Sequence, residues 1–259
     1  MANKPWTRAE VLIAINLYCQ LPFGQFTQGN STIKKIAPLL GRTPSSLAMK
    51  LCNLASLDPV ITSTGRKGLE GASKLDKTTW EEFIANPDAI GYESQLLVDQ
   101  LTGQSSDITE VATEDEHTTD YSADTISTTV QVRVRQSFFR KSILSSYNNQ
   151  CCMTGISEPR LLIASHIVPW KDNPKQRLNP ANGLCLSALH DKAFDIGLIT
   201  VTPDYLIQVS PALRSQAQNG IAKDYLLGLH GQKITMPSKF APHRDFLAYH
   251  QEHVFRQSE

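Results

Sequence analysis

The stretch "NPANGLCLSALHDKAFD" (residues 179–195) decides how the second half of this chain folds. Within it, "NGLCLS" (182–187) reads as a short apolar strand, and Ser187 is placed to cap a short helix, "ALHDKAFD", that ends before Gly197. Upstream, "RLLIASHIV" (160–168) reads as a longer strand rich in Leu and Ile, and Pro169-Trp170 turns the chain away after it. The order is strand, loop, strand, short helix. It puts His166 on the first strand, Asn182 on the loop entering the second, and His190 in the first turn of the helix.

The flanks extend this pattern. "VQVRVRQSFFRKSILSSYNNQ" (130–150) passes from alternation into a helical period that buries Phe139, Ile143, Leu144 and Tyr147. After the short helix, "LITVTPDYLIQVS" (198–210) reads as a hairpin turning at Pro203-Asp204, and "FLAYHQEHVF" (246–255) belongs to a helical tail. His250 and His253 in that tail have a spacing that would let them share a metal on a helix, but surface packing is the better reading.

The 259 residues carry 25 basic and 25 acidic side chains, unevenly placed. Residues 1–77 hold ten Lys/Arg against four Asp/Glu; residues 78–132 hold twelve Asp/Glu and no Lys or Arg. The remainder is basic again, with fifteen against nine. Two basic blocks separated by an acidic one suit two modules that meet a polyanion, joined by a spacer that avoids it. The Ser-, Thr-, Asp- and Glu-rich run at 105–129 supplies that spacer. The division expected is 1–95, a helical DNA-recognition module; 96–129, an acidic linker; and 130–259, a second module. No apolar run approaches the ~20 residues of a membrane span. Neither does the start have the build of a secretory signal. Five cysteines without CxxC spacing suit free thiols in a reducing compartment, so a cytoplasmic protein is expected.

The first module reads as helices. Thr7 and Glu10 stand at capping-box spacing before "AEVLIAINLYCQL". "STIKKIAPLLG" (31–41) forms a second helix that Pro38 should kink or shorten. Thr43 and Pro44 open a third, "TPSSLAMKLCNL". The pair joined across "GRT" resembles a helix-turn-helix whose second helix would offer Ser45, Ser46 and Lys50 to a DNA groove. The loop "STGRKGLEGASK" (63–74) would bring Arg66 and Lys67 to phosphates. A last helix, "DKTTWEEFI", is capped by Asp76 or Thr78 and packs Trp80 and Phe83 inward.

In the second module the motifs "CMTG" (152–155), "ASHIVPW" (164–170), "NPANGLCL" (179–186) and "LHDKAFD" (189–195), with the lead-in "RVRQSFFR" (133–140), follow one another in order. Together they resemble the HNH endonucleases, ββα-metal nucleases, and within them the restriction-type branch. The whole then reads as an α+β protein: the small helical, helix-turn-helix-like module described above, followed by the ββα-metal nuclease module that the resemblance implies. The resemblance implies that His166 is the general base, that His190 is a metal ligand, and that Asn182 fixes the loop which orients His166. Many relatives carry Asp immediately before the base, where this chain has Ser165. Asp191 and Asp195 are then the nearest carboxylates to complete a metal shell, and Lys171 and Arg177 are candidates for phosphate contact.

The chemistry asks for the same residue types. Phosphodiester hydrolysis needs a base for water, and an imidazole, with an ordinary pKa of about 6.5, is mostly neutral at pH 7. It also needs something to absorb charge on the phosphate and leaving oxygen, a task for a divalent metal. Mg²⁺ or Mn²⁺ is expected, with Zn²⁺, Ni²⁺ or Co²⁺ as alternatives. The expectation is therefore a metal-dependent DNA endonuclease of restriction or phage-defence type, paired as a homodimer where both strands are cut. Two other readings remain: a DNA-binding protein with a decayed nuclease site, and a nuclease effector or toxin whose first module binds a protein.

Overall fold

Thr7 opens the first helix through a full capping box: its hydroxyl accepts from the Glu10 N–H, and the Glu10 carboxylate accepts from the Thr7 N–H. This helix, α1 (Arg8–Gln20), is followed by α2 (Ser31–Leu39), α3 (Pro44–Ala55), α4 (Pro59–Ser63), α5 (Lys74–Ala85), α6 (Pro87–Thr102) and α7 (Ala123–Ser146). The structure is a computed structural model that describes residues 4–63, 65, 71–103, 123–216 and 220–256. Arg66 and Lys67 lie outside the described residues, as does most of the stretch read as linker. Ordered helix reaches into both ends of that stretch, because α6 continues to Gly103 in a left-handed conformation and α7 begins at Ala123.

The chain forms two compact units, one of Met1–Ser142 with Lys175–Asn179, the other of Ile143–Pro174 with Pro180–Glu259. In the first unit, α1 is buried along nearly its whole length and packs against α3, α5 and α6. Tyr18, Leu47, Leu51, Leu54 and Phe83 are fully enclosed there, and the Tyr18 hydroxyl donates to Asp58 at 2.8 Å. Pro38 falls at the penultimate position of α2, where the helix simply ends. Asn30 caps its start by accepting from Thr32 and Ile33 N–H. The cap of α5 is Ser73 rather than Asp76 or Thr78, and Asp76 answers it from the third helical position.

Lys50 corrects the sequence reading. It was expected to face DNA, yet it is 5% exposed and its ammonium lies 2.7 and 2.9 Å from the two Asp76 oxygens, over the ring of Trp6. The reason is its place on α3: three residues after Leu47 and four before Leu54, it lies on the buried stripe. The outward face of α3 offers Ser45, with Ser46 half-buried, and Met49 at 54% exposure instead.

The alternating start of the 130–150 segment is helix, not strand. Arg135 pairs with Asp88 at 3.4 Å and lies over Tyr92, and Phe138, Phe139 and Ile143 are buried, Phe138 being one the sequence pattern did not single out. Leu144 is only half-buried. Asn148 and Asn149 then take left-handed conformations, and the Asn149 N–H returns to the Leu144 carbonyl, which closes the helix.

The second unit contains β1 (Leu162–His166) paired antiparallel with β2 (Gly183–Ser187), then α8 (Ala188–Asp195), then the hairpin β3 (Ile199–Val201) and β4 (Ile207–Val209). Short helices α9 (Pro211–Gln216) and α10 (Ile221–Tyr225) lead to α11 (Arg244–His253), which packs on β3. Helix α8 packs on both strands of the first pair and on β3. Gly197 ends this helix at φ +75°, where an added Cβ would stand 2.1 Å from the Val254 carbonyl oxygen, so no side chain fits.

His250 is not a surface residue. It is 1% exposed, stacks on Phe194 with ring centres 3.6 Å apart, accepts from the Thr200 hydroxyl at Nδ1 and donates from Nε2 to the Phe194 carbonyl. Burial pulls its pKa down from 6.5 to about 4. The fold therefore favours the neutral ring. That stabilisation is complete above pH about 6.5 and is lost as pH falls through about 4, at roughly 3 kcal/mol in all. Urea unfolding of the wild type is expected to weaken by that amount between these pH values relative to His250→Gln. Parallel pH profiles for the two proteins would contradict it.

Candidate active site

Two short strands and one short helix hold the catalytic candidates. Ladder pairing sets Ser165 opposite Leu184 and His166 opposite Gly183, so the last residues of β1 meet the first of β2. His166 is half-buried at the strand end, with its ring edge-on to Trp170 at 5.3 Å. Asn182 is 1% exposed and grips the segment that leaves His166. Its Oδ1 accepts from Val168 N–H at 2.8 Å, its Nδ2 donates to the Val168 carbonyl at 3.2 Å, and its own carbonyl accepts from Ile167 N–H at 3.0 Å. A side-chain amide can satisfy both polar groups of one peptide position in this way, which is a task Asp or Leu could not perform. The turn after His166 is thereby locked to the strand that pairs with it.

His190 stands at 1% exposure one turn into α8. Ser187 occupies the capping position, but its hydroxyl makes no cap bond to the backbone; it lies 2.7 Å from His190 Nδ1. His190 Nε2 lies 2.8 Å from the Tyr225 carbonyl oxygen. A carbonyl can only accept, so Nε2 carries the proton and Nδ1 accepts from Ser187. In this arrangement both ring nitrogens meet protein groups, and a cation on His190 would have to displace one of them. The Ser187 contact has a sequence signal, the spacing of a cap and the third helical residue. Tyr225 has none, since it ends α10 and what it offers is a backbone carbonyl.

The carboxylate that does approach β1 is Asp191, half-buried and facing Ser165. Burial pushes the Asp191 carboxyl up, while the Ser165 hydroxyl and Lys192 pull it back. Ser165 is 2% exposed, and its hydroxyl oxygen completes no hydrogen bond of regular geometry among the described residues. Asp195 is exposed at the far end of α8. Among the described residues, no three His, Cys, Asp or Glu side chains group as a metal cluster. Lys171 is exposed beyond Trp170, whereas Arg177 is half-buried in the short segment that clusters with the first unit.

Residues 151–202, from the "CCMTG" turn through β3, match the family model of the HNH endonucleases. This segment is an HNH endonuclease domain. Among curated proteins none matches the chain. The match over residues 151–202 supports nuclease activity on nucleic acid, and the mixed helix-and-sheet architecture is the α+β one expected. No helix among the described residues is long and apolar enough to cross a membrane.

Proposed function

We propose that this chain is a metal-dependent DNA endonuclease of restriction or phage-defence type, with His166 as the general base. The observation that carries the reading is the Asn182 clamp, which fixes the turn after His166 at both polar groups of Val168. Such a clamp restrains the imidazole so that one ring nitrogen can take a proton from water poised at a phosphate. Asn182 is thus a positioning residue. In the same reading, residues 1–95 choose the target through the exposed face of α3, residues 96–129 are the spacer, and residues 130–259 cut. Cutting both strands would use two copies.

A hard cation fits the donors present. Mg²⁺ typically keeps several waters and takes one or two carboxylates plus substrate phosphate oxygens. Asp191 and the buried, unsatisfied Ser165 hydroxyl supply oxygen donors of that kind, and His190 supplies nothing while Ser187 and Tyr225 hold it. This favours Mg²⁺ or Mn²⁺ over Zn²⁺, Ni²⁺ or Co²⁺, which prefer imidazole. When bound, the cation would stabilise charge on the phosphate and leaving oxygen. Asp191 and Ser165 would hold it, and Lys171 would meet the flanking phosphate.

The test is twofold. Supercoiled plasmid should be cut in Mg²⁺ or Mn²⁺ and spared in chelator. Calorimetric titration of Mn²⁺ should weaken by roughly tenfold or more in Asp191→Asn and change less in His190→Ala. Equal Mn²⁺ affinity in wild type and Asp191→Asn would place the cation elsewhere. The saturated His190 is also what a DNA-binding protein with a decayed nuclease site would show. Plasmid that is bound but never cut, with any of the five metals, would establish that reading instead.

A further inference from the structure

Helix α11 carries a row of rings on its outer face. Phe246, Tyr249 and His253 follow one another at three- and four-residue steps, with His243 at the cap before them, while Leu247 and His250 take the buried face. His243 and His253 are exposed, and Phe246 and Tyr249 are half-buried. We propose that this row is a stacking platform for an unpaired strand of the DNA substrate, so that the preferred substrate carries single-stranded nucleotides beside the cut. The proposal rests on the reading that the ββα unit meets DNA.

The rings are held in place, which sets them apart from ordinary surface side chains. Tyr249 and His253 stack with ring centres 4.2 Å apart and planes 13° from parallel. The Tyr249 hydroxyl donates to Asp172 at 3.2 Å, and His253 Nδ1 donates to the Tyr249 carbonyl at 3.0 Å. The rings of His243 and Phe246 lie 5.3 Å apart. A ring that is already fixed loses little freedom on binding, which is what a platform needs. Single apolar side chains at a surface ask for no explanation; a row of fixed rings does.

Two contacts set the row beside the His166 turn. The His243 N–H donates to the carbonyl of Ala181, the residue before the Asn182 clamp. Asp172, which holds Tyr249, comes two residues after Trp170, whose ring meets His166 edge-on. Two residues of chain span at most about 7 Å. Trp170 is itself half-buried and adds aromatic surface at the His166 end.

Geometry and charge select the ligand. A cage for a quaternary ammonium needs rings that face one another across a void, whereas Tyr249 and His253 are in contact. The charges around the row balance: Lys171, Arg244 and Arg256 stand against Asp172, Asp245 and Glu252, all exposed. A phosphate grip would call for net positive charge instead. The ligand that suits bare ring faces next to a nuclease motif is a nucleobase, since every base has a face to stack. In a duplex those faces are covered by the neighbouring pairs, so only an unpaired base can lie on these rings.

The test uses the full chain in chelator, so that binding is read without cleavage. Two fluorescein-labelled duplexes of one sequence, one blunt and one with a single-stranded overhang, are titrated by anisotropy. The overhang duplex should bind about tenfold more tightly. His253→Ala, an exposed change, and Tyr249→Ala should each weaken overhang binding by about fivefold or more. Both should leave blunt-duplex affinity within about twofold and the salt slope unchanged. Tyr249→Phe keeps the ring and should retain overhang binding. Equal affinity of the wild type for the two duplexes overturns the proposal. So does a loss in His253→Ala that both duplexes share, a lowered salt slope, or a Tyr249→Phe as weak as Tyr249→Ala. A dimer in sedimentation that His253→Ala dissociates, with overhang binding unchanged, would assign the row to a second copy of the chain and overturn it too. Plasmid left uncut while overhang selectivity persists would overturn the cleavage reading and leave the platform standing.

Discussion

Alanine at His166 is expected to slow DNA cleavage by about 10²–10⁴-fold, the usual loss when a general base is removed. DNA affinity should stay within about twofold, because a neutral imidazole contributes little of the phosphate charge neutralisation that dominates such binding. The split matters. His166 stands half-buried at the end of β1, and the turn after it is held by Asn182 through protein contacts, so loss of the ring leaves the clamp in place. Single-turnover rates on plasmid, together with a binding isotherm in chelator, read the two quantities separately. A variant that cuts at near wild-type rate would remove His166 from the role. One that loses binding and cleavage in step would make it a contact residue.

The largest stability effect is expected in the other unit. Asp76→Ala should destabilise the fold by roughly 3–5 kcal/mol, because it strands a buried ammonium. Lys50 and Asp76 side chains are 6% and 0% exposed and meet at 2.7 Å. Asp76 also accepts from the Ser73 N–H, so the same change removes half of the capping box on α5. The ring of Trp6, 4.6 Å from the ammonium, offsets only part of the loss. The double variant Lys50→Met, Asp76→Leu should recover most of the stability, since a matched apolar pair carries no desolvation cost. Urea unfolding measures both. A loss below about 1 kcal/mol in Asp76→Ala would show that the pair is far more hydrated than its burial implies.

Local rules carried much of the site. The strand at Leu162–His166, the strand at Gly183–Ser187 and the helix after it follow from apolar runs, a serine at the position before the helix and a glycine at positive φ. The capped helices around Gly41 likewise obey local chemistry, with Asn30 and Thr43 satisfying backbone donors. What escaped was set by tertiary contact. A lysine reads as surface until its position on the apolar stripe of α3 is weighed against its charge, and Asp76 comes from 26 residues away. Valines at 130, 132 and 134 alternate as a strand would, yet burial of Phe138 and Phe139 and the Arg135–Asp88 pair favour helix. The closure of His190 by Tyr225 has no periodic signature at all, since its partner is a backbone carbonyl available from any residue type.

The central claim is that the ββα unit cuts DNA with His166 as base. Its most direct measurement is incubation of supercoiled plasmid with purified full-length chain and with His166→Ala, side by side, in Mg²⁺ and in Mn²⁺. The account predicts nicked or linear product from the wild type in at least one of these metals, none in chelator, and a rate at least about a hundredfold lower from the variant. Plasmid left intact by the wild type in both metals, or cut equally by both proteins, would contradict it.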